Sequence, residues 1–84
     1  MAYYTYILQF ENSGRLYVGQ TQDLTNRLFM HNSGNNKSTK GRGPWILLHS
    51  KEFESRTESC GLERKLKSWK SKKMILKWIE AESR

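Results

Sequence analysis

The fold is decided by residues 3–19, which read YYTYILQFENSGRLYVG. The first eight, Tyr3–Phe10, are rich in the aromatic and β-branched residues that favour strands. Residues 11–14 form a turn signal, since Gly14 can adopt a positive φ angle. Residues 15–19 then return as a second strand, and two strands joined by a tight turn must be antiparallel. The hairpin places Tyr6 and Tyr17 on adjacent strands.

The remainder of the chain alternates helical and strand patterns. A helix is predicted over 22–33, a Gly/Asn/Ser-rich loop over 34–44 and a third strand over 45–53. Ser55 and Glu58 form a capping-box pattern that opens a helix over 56–68, and Ser71 can cap a last helix. We therefore predict an α+β fold in one domain, residues 1–84. Its small three-stranded antiparallel sheet is flanked by about three helices in the order β-β-α-β-α-α.

Composition narrows the class of protein. The chain has 84 residues and one cysteine, Cys60, which excludes an internal disulfide and a four-cysteine zinc site. It has no apolar run of about 20 residues and no secretory signal pattern, so we expect a cytoplasmic protein without a membrane partner. We expect no small-molecule cofactor, and a monomer is favoured.

Basic residues dominate the charge, with 15 Lys and Arg against 8 Asp and Glu and a net charge of +7. A polyanion, most commonly nucleic acid, is the expected partner, and DNA is favoured. The alternative is a solvated helix face that aids solubility. The candidate nucleic-acid-binding residues lie in the 34–44 loop and the C-terminal segment: Lys37, Lys40, Arg42, Lys67, Lys70, Lys72 and Lys73.

Two polar residues share one face of the first predicted helix. Arg27 and His31 are four residues apart, about 6 Å along the axis. A guanidinium matches phosphate oxygens and keeps its charge, while an imidazole can share a proton with a phenol or water. The alternative is a surface cation followed by a histidine that favours the helix dipole.

Tyr6 and Tyr17 have two interpretations as well. Facing aromatic residues in a hairpin normally pack. Two neighbouring phenols can also hold or deprotonate water, but a basic phenol needs nearby positive charge because its ordinary pKa is about 10. A metal ion, Arg27 or a charged His31 would supply that charge. Gly19, taken to end the second strand, serves either a tight exit or close backbone approach to a phosphate.

Glu63 is the carboxylate with the most chemical interest. A hard cation such as magnesium often takes one carboxylate together with waters and substrate phosphate oxygens. The alternative is an i,i+4 ion pair between Glu63 and Lys67. Two phenols, a guanidinium, an imidazole and one carboxylate together suit hydrolysis of a phosphodiester with one divalent metal.

Two short motifs extend this interpretation to a family. Tyr4-Thr5-Tyr6 and Tyr17-Val18-Gly19, followed by Arg27, His31 and Glu63, resemble the motifs of the GIY-YIG nuclease superfamily. The resemblance covers nearly the whole chain. It is closest to small stand-alone proteins related to the N-terminal, URI-type domain of excinuclease C. Tyr4, Thr5 and Val18 depart from the family pattern at backbone and packing positions.

The resemblance implies a metal-dependent endonuclease that hydrolyses DNA phosphodiester bonds with Mg²⁺ or Mn²⁺, with DNA repair or recombination as its expected context. By the same resemblance, Tyr6 would activate water with help from His31, and Tyr17 would position water or phosphate. Arg27 would stabilise the phosphoryl group, and Glu63 would hold the metal. Larger members append a DNA-binding domain, and we expect none in this chain.

Two other functions stay open from the sequence. A non-catalytic nucleic-acid-binding module or accessory protein would use the same fold and the basic C-terminal segment. A protein-interaction domain would present Trp69 and Trp78 as exposed anchors.

Overall fold

The protein is an α+β sandwich in which one sheet has helices on both faces. The structure, a computed structural model, describes residues 2–11, 13–33 and 44–83. The elements within these ranges are β1 (Tyr3–Phe10), β2 (Leu16–Thr21), α1 (Leu24–Ser33), β3 (Trp45–Phe53), α2 (Arg56–Trp69) and α3 (Lys72–Glu82). This order confirms the predicted β-β-α-β-α-α arrangement.

The three strands form an antiparallel sheet in the order β2-β1-β3. Gly14 has a φ of 75° in the β1–β2 connection, as predicted for the turn. Tyr6 pairs with Gly19, and Leu8 pairs with Tyr17. Tyr6 and Tyr17 are therefore diagonal neighbours on the same face, since side chains alternate with a period of two. β2 forms one edge of the sheet.

Strand β1 is central and buried on both faces. On the α1 face, Tyr6, Leu8 and Trp45 form a buried cluster against which Leu24 and Leu28 of α1 pack. On the opposite face, a second cluster joins the sheet to α2 and α3, and its buried members are Ile7, Val18, Leu66 and Ile75. Burying each such large apolar side chain contributes about 1.5–3 kcal/mol. The two clusters fix α1 and α2 on opposite sides of the same sheet.

The boundary between β2 and α1 corrects the sequence prediction. β2 continues to Thr21, which pairs with Tyr4, so Gly19 lies inside the strand and does not end it. α1 begins at Leu24, two residues later than predicted. The reason is local: Asp23 Oδ1 accepts a hydrogen bond of 3.0 Å from the Asn26 amide, which satisfies a free donor of the first turn.

The two C-terminal helices begin as predicted. Ser55 Oγ accepts from the Glu58 amide at 3.2 Å, and Ser71 Oγ accepts from the Met74 amide at 3.2 Å. The helices meet at Lys70, whose φ of 49° is left-handed. Ile75 of α3 is buried, whereas the neighbouring Met74 is 48% exposed. Met74 lies about 100° around the helix from Ile75, at the margin of the apolar stripe.

Trp69 and Trp78 are half-buried and pack against the core on the α2–α3 face. They are therefore packing residues more than exposed anchors, which removes the sequence argument for a protein-interaction domain. None of the helices in the described residues is long and apolar enough to cross a lipid bilayer.

Candidate active site

Tyr6 and His31 meet beneath the first helix. The Tyr6 side chain is 2% exposed and the His31 side chain is fully buried. The Tyr6 hydroxyl lies 3.0 Å from His31 Nε2, a hydrogen-bonding distance. Leu24, Leu28 and His31 follow a helical spacing that turns one face of α1 toward the sheet. His31 is thus part of a buried pair and not a solvent-exposed residue at a helix end.

Tyr17 completes an aromatic cluster with this pair. Its ring centroid lies 4.8 Å from that of His31 in an edge-on arrangement and 6.3 Å from that of Tyr6. Such edge-on contacts hold ring orientations while adding modest stability. Tyr17 therefore packs against the ring of the candidate catalytic histidine.

Gly19 makes room for the Tyr6 phenol. A Cβ at Gly19 would lie 2.5 Å from the Tyr6 oxygen and 3.1 Å from Tyr17 Cε1. Only glycine leaves this space open, because every other residue carries a Cβ. A glycine at position 19 is thus required by the neighbouring Tyr6 phenol, and not by a tight exit from the strand. The phenol therefore lies over β2, an edge strand of the sheet.

Two residues missed by the sequence analysis support the cluster. Trp45 packs at 6.4 Å from His31 and 6.1 Å from Tyr17, measured between ring centroids. Asn32 holds the Trp45 backbone, accepting from its amide at 2.6 Å and donating to its carbonyl at 3.3 Å. These bonds tie the end of α1 to the start of β3. Local sequence patterns concern residues close together in the chain, so they could not predict that Asn32 bonds to Trp45, 13 residues later.

Burial controls protonation in the cluster. It raises the pKa of Tyr6 well above the ordinary 10, Tyr17 and Glu63 also raise it, and Arg27 lowers it only in part. Burial also lowers the pKa of His31 from 6.5, and the nearby Arg27 charge lowers it further. Both groups are neutral near pH 7, so one proton lies between them. A charged His31 is therefore not the source of positive charge near the phenol, whereas Arg27 is.

Arg27 and Glu63 bring opposite charges near the same phenol. Arg27 is half-buried on α1, and no hydrogen bond or ion pair engages its guanidinium within the described residues. Glu63, on α2, is also half-buried and accepts from Lys67 Nζ at 2.9 Å. The alternative i,i+4 pair is therefore present. Both charges act on the Tyr6 hydroxyl, since Arg27 lowers its pKa and Glu63 raises it.

The donor set near Tyr6 fits a hard cation and not zinc. In residues 2–11, 13–33 and 44–83, no group of three or more His, Cys, Asp or Glu side chains could hold a metal. Zinc normally needs three or four protein ligands. Magnesium and manganese can use one carboxylate with waters and phosphate oxygens, so Glu63 alone suffices for them.

Two hollows flank Gly19 along β2. The first hollow, near the start of β2, is a groove of about 320 Å³ whose apolar lining includes Val18 and Leu66. The candidate nucleic-acid-binding residues Lys67, Lys70 and Lys72 line it. Lys73 is exposed on α3 outside the groove. Toward the other end of β2 is a polar pocket of about 320 Å³ that includes Arg27. Lys37, Lys40 and Arg42 lie outside the described residues.

Comparisons with known proteins identify the family of this chain. A family model described as the GIY-YIG catalytic domain matches residues 2–76. A UPF0213 protein of Bacillus pumilus is 39% identical over 75 residues, covering 88% of this chain and 76% of that protein. UPF0213 protein SH2523 of Staphylococcus haemolyticus is 34% identical over 79 residues, covering 93% and 94%.

A solved structure shares the fold. It is the solution NMR structure of the UPF0213 protein BH0048 from Bacillus halodurans, with a TM-score of 0.63 and 33% identity. The alignment covers 96% of this chain and 85% of that one. The two tyrosine motifs, the sheet that carries them and the match over residues 2–76 lead to one conclusion: this chain belongs to the GIY-YIG catalytic domain family.

Proposed function

We propose that this chain is a metal-dependent endonuclease that hydrolyses DNA phosphodiester bonds. Membership of the GIY-YIG family implies a nuclease-type function and a nucleic-acid substrate. The single observation that carries the proposal is the 3.0 Å contact between the Tyr6 hydroxyl and His31 Nε2, within reach of the Arg27 and Glu63 charges. Acid–base catalysis needs this kind of positioned, neutral proton carrier.

Tyr6 and His31 act as one proton acceptor in this proposal. The raised pKa of Tyr6 leaves almost no free phenolate at neutral pH. The phenol oxygen therefore takes a proton from the attacking water as its own proton passes to His31 Nε2. The lowered pKa of His31 keeps the imidazole unprotonated and ready to accept that proton. Tyr17 holds the imidazole ring in place by its edge-on contact.

Arg27 stabilises the charge that builds on the phosphorus centre. Its guanidinium has no hydrogen-bond or ion-pair partner among the described residues, so its donors are available to phosphate oxygens. Donors placed in advance where charge develops make a large contribution to catalysis. Removing such a group commonly costs about 10²–10³ in rate.

Glu63 would hold Mg²⁺ or Mn²⁺. When bound, the metal would offset charge on the phosphate and activate or orient water. Glu63 forms an ion pair with Lys67 at 2.9 Å, so Lys67 would have to release the carboxylate before it could hold a metal. The Glu63–Lys67 pair would therefore compete with metal binding.

The basic side chains supply the contact to DNA. Lys67, Lys70 and Lys72 line the groove beside Tyr17, and Lys73 adds charge on α3. Lys37, Lys40 and Arg42 are included in the proposed interface. The proposed enzyme is a single domain over residues 1–84 that works as a cytoplasmic monomer. Its place in repair or recombination and its likeness to excinuclease C stay predictions.

A plasmid nicking assay tests the proposal. Supercoiled plasmid is incubated with purified protein and Mg²⁺ or Mn²⁺, alongside Glu63→Gln, Arg27→Ala and the exposed-site control Arg15→Ala. We expect nicking by the parent chain and by Arg15→Ala, and none by the other two. Absence of nicking by the parent, or equal nicking by every variant, would contradict the proposal.

A non-catalytic nucleic-acid-binding module is the second candidate. The Glu63–Lys67 ion pair favours it, because Lys67 on the same helix already balances the charge of the Glu63 carboxylate, which then needs no metal ion. Such a module would bind DNA with a steep salt dependence and leave plasmid intact with either metal. Its binding would also be unchanged by Glu63→Gln.

A further inference from the structure

The polar pocket beside Arg27 contains a second arginine that the sequence analysis did not select. Arg27 comes from the first turn of α1, and Arg56 is the first residue of α2. Both line one pocket of about 320 Å³, whose walls also include Tyr3, Gln20 and Gln22. Helices on opposite faces of the sheet thus bring two guanidiniums together at one end of the β2 edge.

Both guanidiniums are available to a ligand. Within the described ranges, neither forms a hydrogen bond or an ion pair. One carboxylate, Asp23, also lines the pocket, but its Oδ1 accepts from the Asn26 amide at 3.0 Å. The polar pocket is therefore lined by two guanidiniums and by one carboxylate that already accepts a hydrogen bond. Forked guanidinium donors match phosphate oxygens in both charge and geometry.

The position of the pocket relates it to the candidate active site. The pocket is lined by Gln20 and Thr21, the residues that follow Gly19 on β2. A strand rises about 3.3 Å per residue, so these two residues lie about 3 to 7 Å along β2 from Gly19, the residue over which the Tyr6 phenol lies. The lysine-lined groove lies on the other side of Gly19. A strand of nucleic acid that runs along this edge past Gly19 meets positive charge on both sides of that residue.

We propose that the pocket between Arg27 and Arg56 binds the backbone phosphate next to the one that is cleaved, with Arg56 as a positioning residue. The inference rests on the proposed function for the identity of its ligand. It adds a site at which Arg27 contacts two successive phosphates and Arg56 fixes the register of the strand. Arg56 does not reach the reacting atoms in this proposal.

The first test measures binding without divalent metal, so that it is independent of cleavage. The affinity for a short fluorescent DNA duplex is measured by anisotropy across a salt series for the parent, Arg56→Ala, Arg56→Lys and Arg15→Ala. Arg15 is exposed and lines none of the described pockets, so it controls for loss of net charge. Loss of one phosphate contact lowers the slope of log affinity against log salt by about 0.9.

We expect this drop in Arg56→Ala, a parent-like slope in Arg56→Lys because its charge is kept, and no change in Arg15→Ala. Equal slopes for Arg56→Ala and Arg15→Ala would overturn the inference, as would an absence of binding at low salt. A thermal unfolding curve for each variant checks the fold. A parent chain that binds but does not cut would contradict the nuclease proposal alone.

The second test locates the phosphate. Single phosphates around the cleavage site are replaced by neutral methylphosphonates, and kcat/KM is measured for the parent and Arg56→Ala. We expect one substitution beside the scissile position to slow the parent about tenfold or more and to have little further effect on Arg56→Ala. Equal sensitivity of both proteins at every position would overturn the assignment.

Discussion

The Tyr6 hydroxyl lies over Gly19 of the neighbouring strand, so close that a Cβ at Gly19 would be 2.5 Å from the phenol oxygen. The same hydroxyl lies 3.0 Å from His31 Nε2 on its other side. The phenol is therefore fixed between a glycine on β2 and an imidazole on α1. This confinement explains why a glycine inside a strand, normally unfavourable, is suited to this position.

Gly19→Ala should displace the phenol. The added methyl group cannot fit unless Tyr6 moves, and overpacking of this kind costs about 1–3 kcal/mol. We expect a lower melting temperature and a loss of nicking larger than the loss of stability explains. The matched control is Gly61→Ala in α2, where a Cβ meets nothing within 4 Å. That change should stabilise the helix by about 0.5–1 kcal/mol. Parent-like nicking by Gly19→Ala would contradict this geometry.

Stability should fall on the acid side of neutrality because of His31. Burial lowers the pKa of His31 below 6.5, so the unfolded chain binds more protons than the folded one when the pH drops. The stability contributed by the neutral imidazole is complete above about pH 6.5 and is lost as the pH falls through the folded pKa. Urea unfolding between about pH 8 and 5 should show this decline, with a flatter profile in His31→Gln. Identical profiles would contradict it.

A separate acid transition belongs to Glu82. Its hydrogen bond to Lys51 lowers the pKa of the carboxyl below 4.5. The contribution of Glu82 to folding stability is therefore lost only at a pH below the range in which His31 titrates. The Glu82→Gln variant therefore distinguishes the two transitions. It should leave the decline between about pH 8 and 5 unchanged.

Release of Glu63 from Lys67 should tighten metal binding. Mn²⁺ binding to protein without DNA, measured by electron paramagnetic resonance, should be lost in Glu63→Gln, because the carboxylate is the proposed ligand. Lys67→Met should strengthen it, since the competing ammonium at 2.9 Å is removed. The control is Lys51→Met, which breaks the remote pair with Glu82. Weaker Mn²⁺ binding in Lys67→Met than in this control would contradict the idea that Lys67 competes with the metal for Glu63.

Asn32 should stabilise the site at a distance. Its side chain bonds both backbone groups of Trp45, at 2.6 and 3.3 Å, and so links α1 to β3. Asn32→Ala leaves these groups unpaired and should cost about 1–3 kcal/mol. Because His31 precedes Asn32, DNA cleavage should fall as well. Asn26→Ala, on an exposed part of α1, serves as the control and should change stability by less than about 0.5 kcal/mol.

The sequence predicts the elements of this fold better than it predicts their contacts. Capping by Ser55 and Ser71 and the positive φ of Gly14 follow from local chemistry, so they could be predicted. The start of α1 could not be, because Thr21, Gln22 and Asp23 are all acceptable at a helix start. Hydrogen bonding by Asp23 decides among them only in the folded chain.

In the candidate site, too, local features could be predicted from the sequence and tertiary contacts could not. Arg27 and His31 share a helix face, which the four-residue spacing predicts. The full burial of His31 and the support from Trp45 depend on tertiary packing. Arg56 shares a pocket with Arg27 only because α1 and α2 pack on opposite faces of the same sheet. In the sequence, Arg56 is a lone arginine at a helix start and gives no sign of this. The i,i+4 rule predicted the Glu63–Lys67 pair, but it could not place that pair near Tyr6.

The central claim is that Tyr6 and His31 work as one proton acceptor. It is tested most directly by single-turnover cleavage of a DNA substrate by the parent, Tyr6→Phe, His31→Ala and the double variant. Residues that act as a unit are strongly non-additive. We predict that each single variant loses most of the rate and that the double variant is scarcely slower than either. Losses that multiply in the double variant, or a parent-like rate in Tyr6→Phe, would contradict the claim.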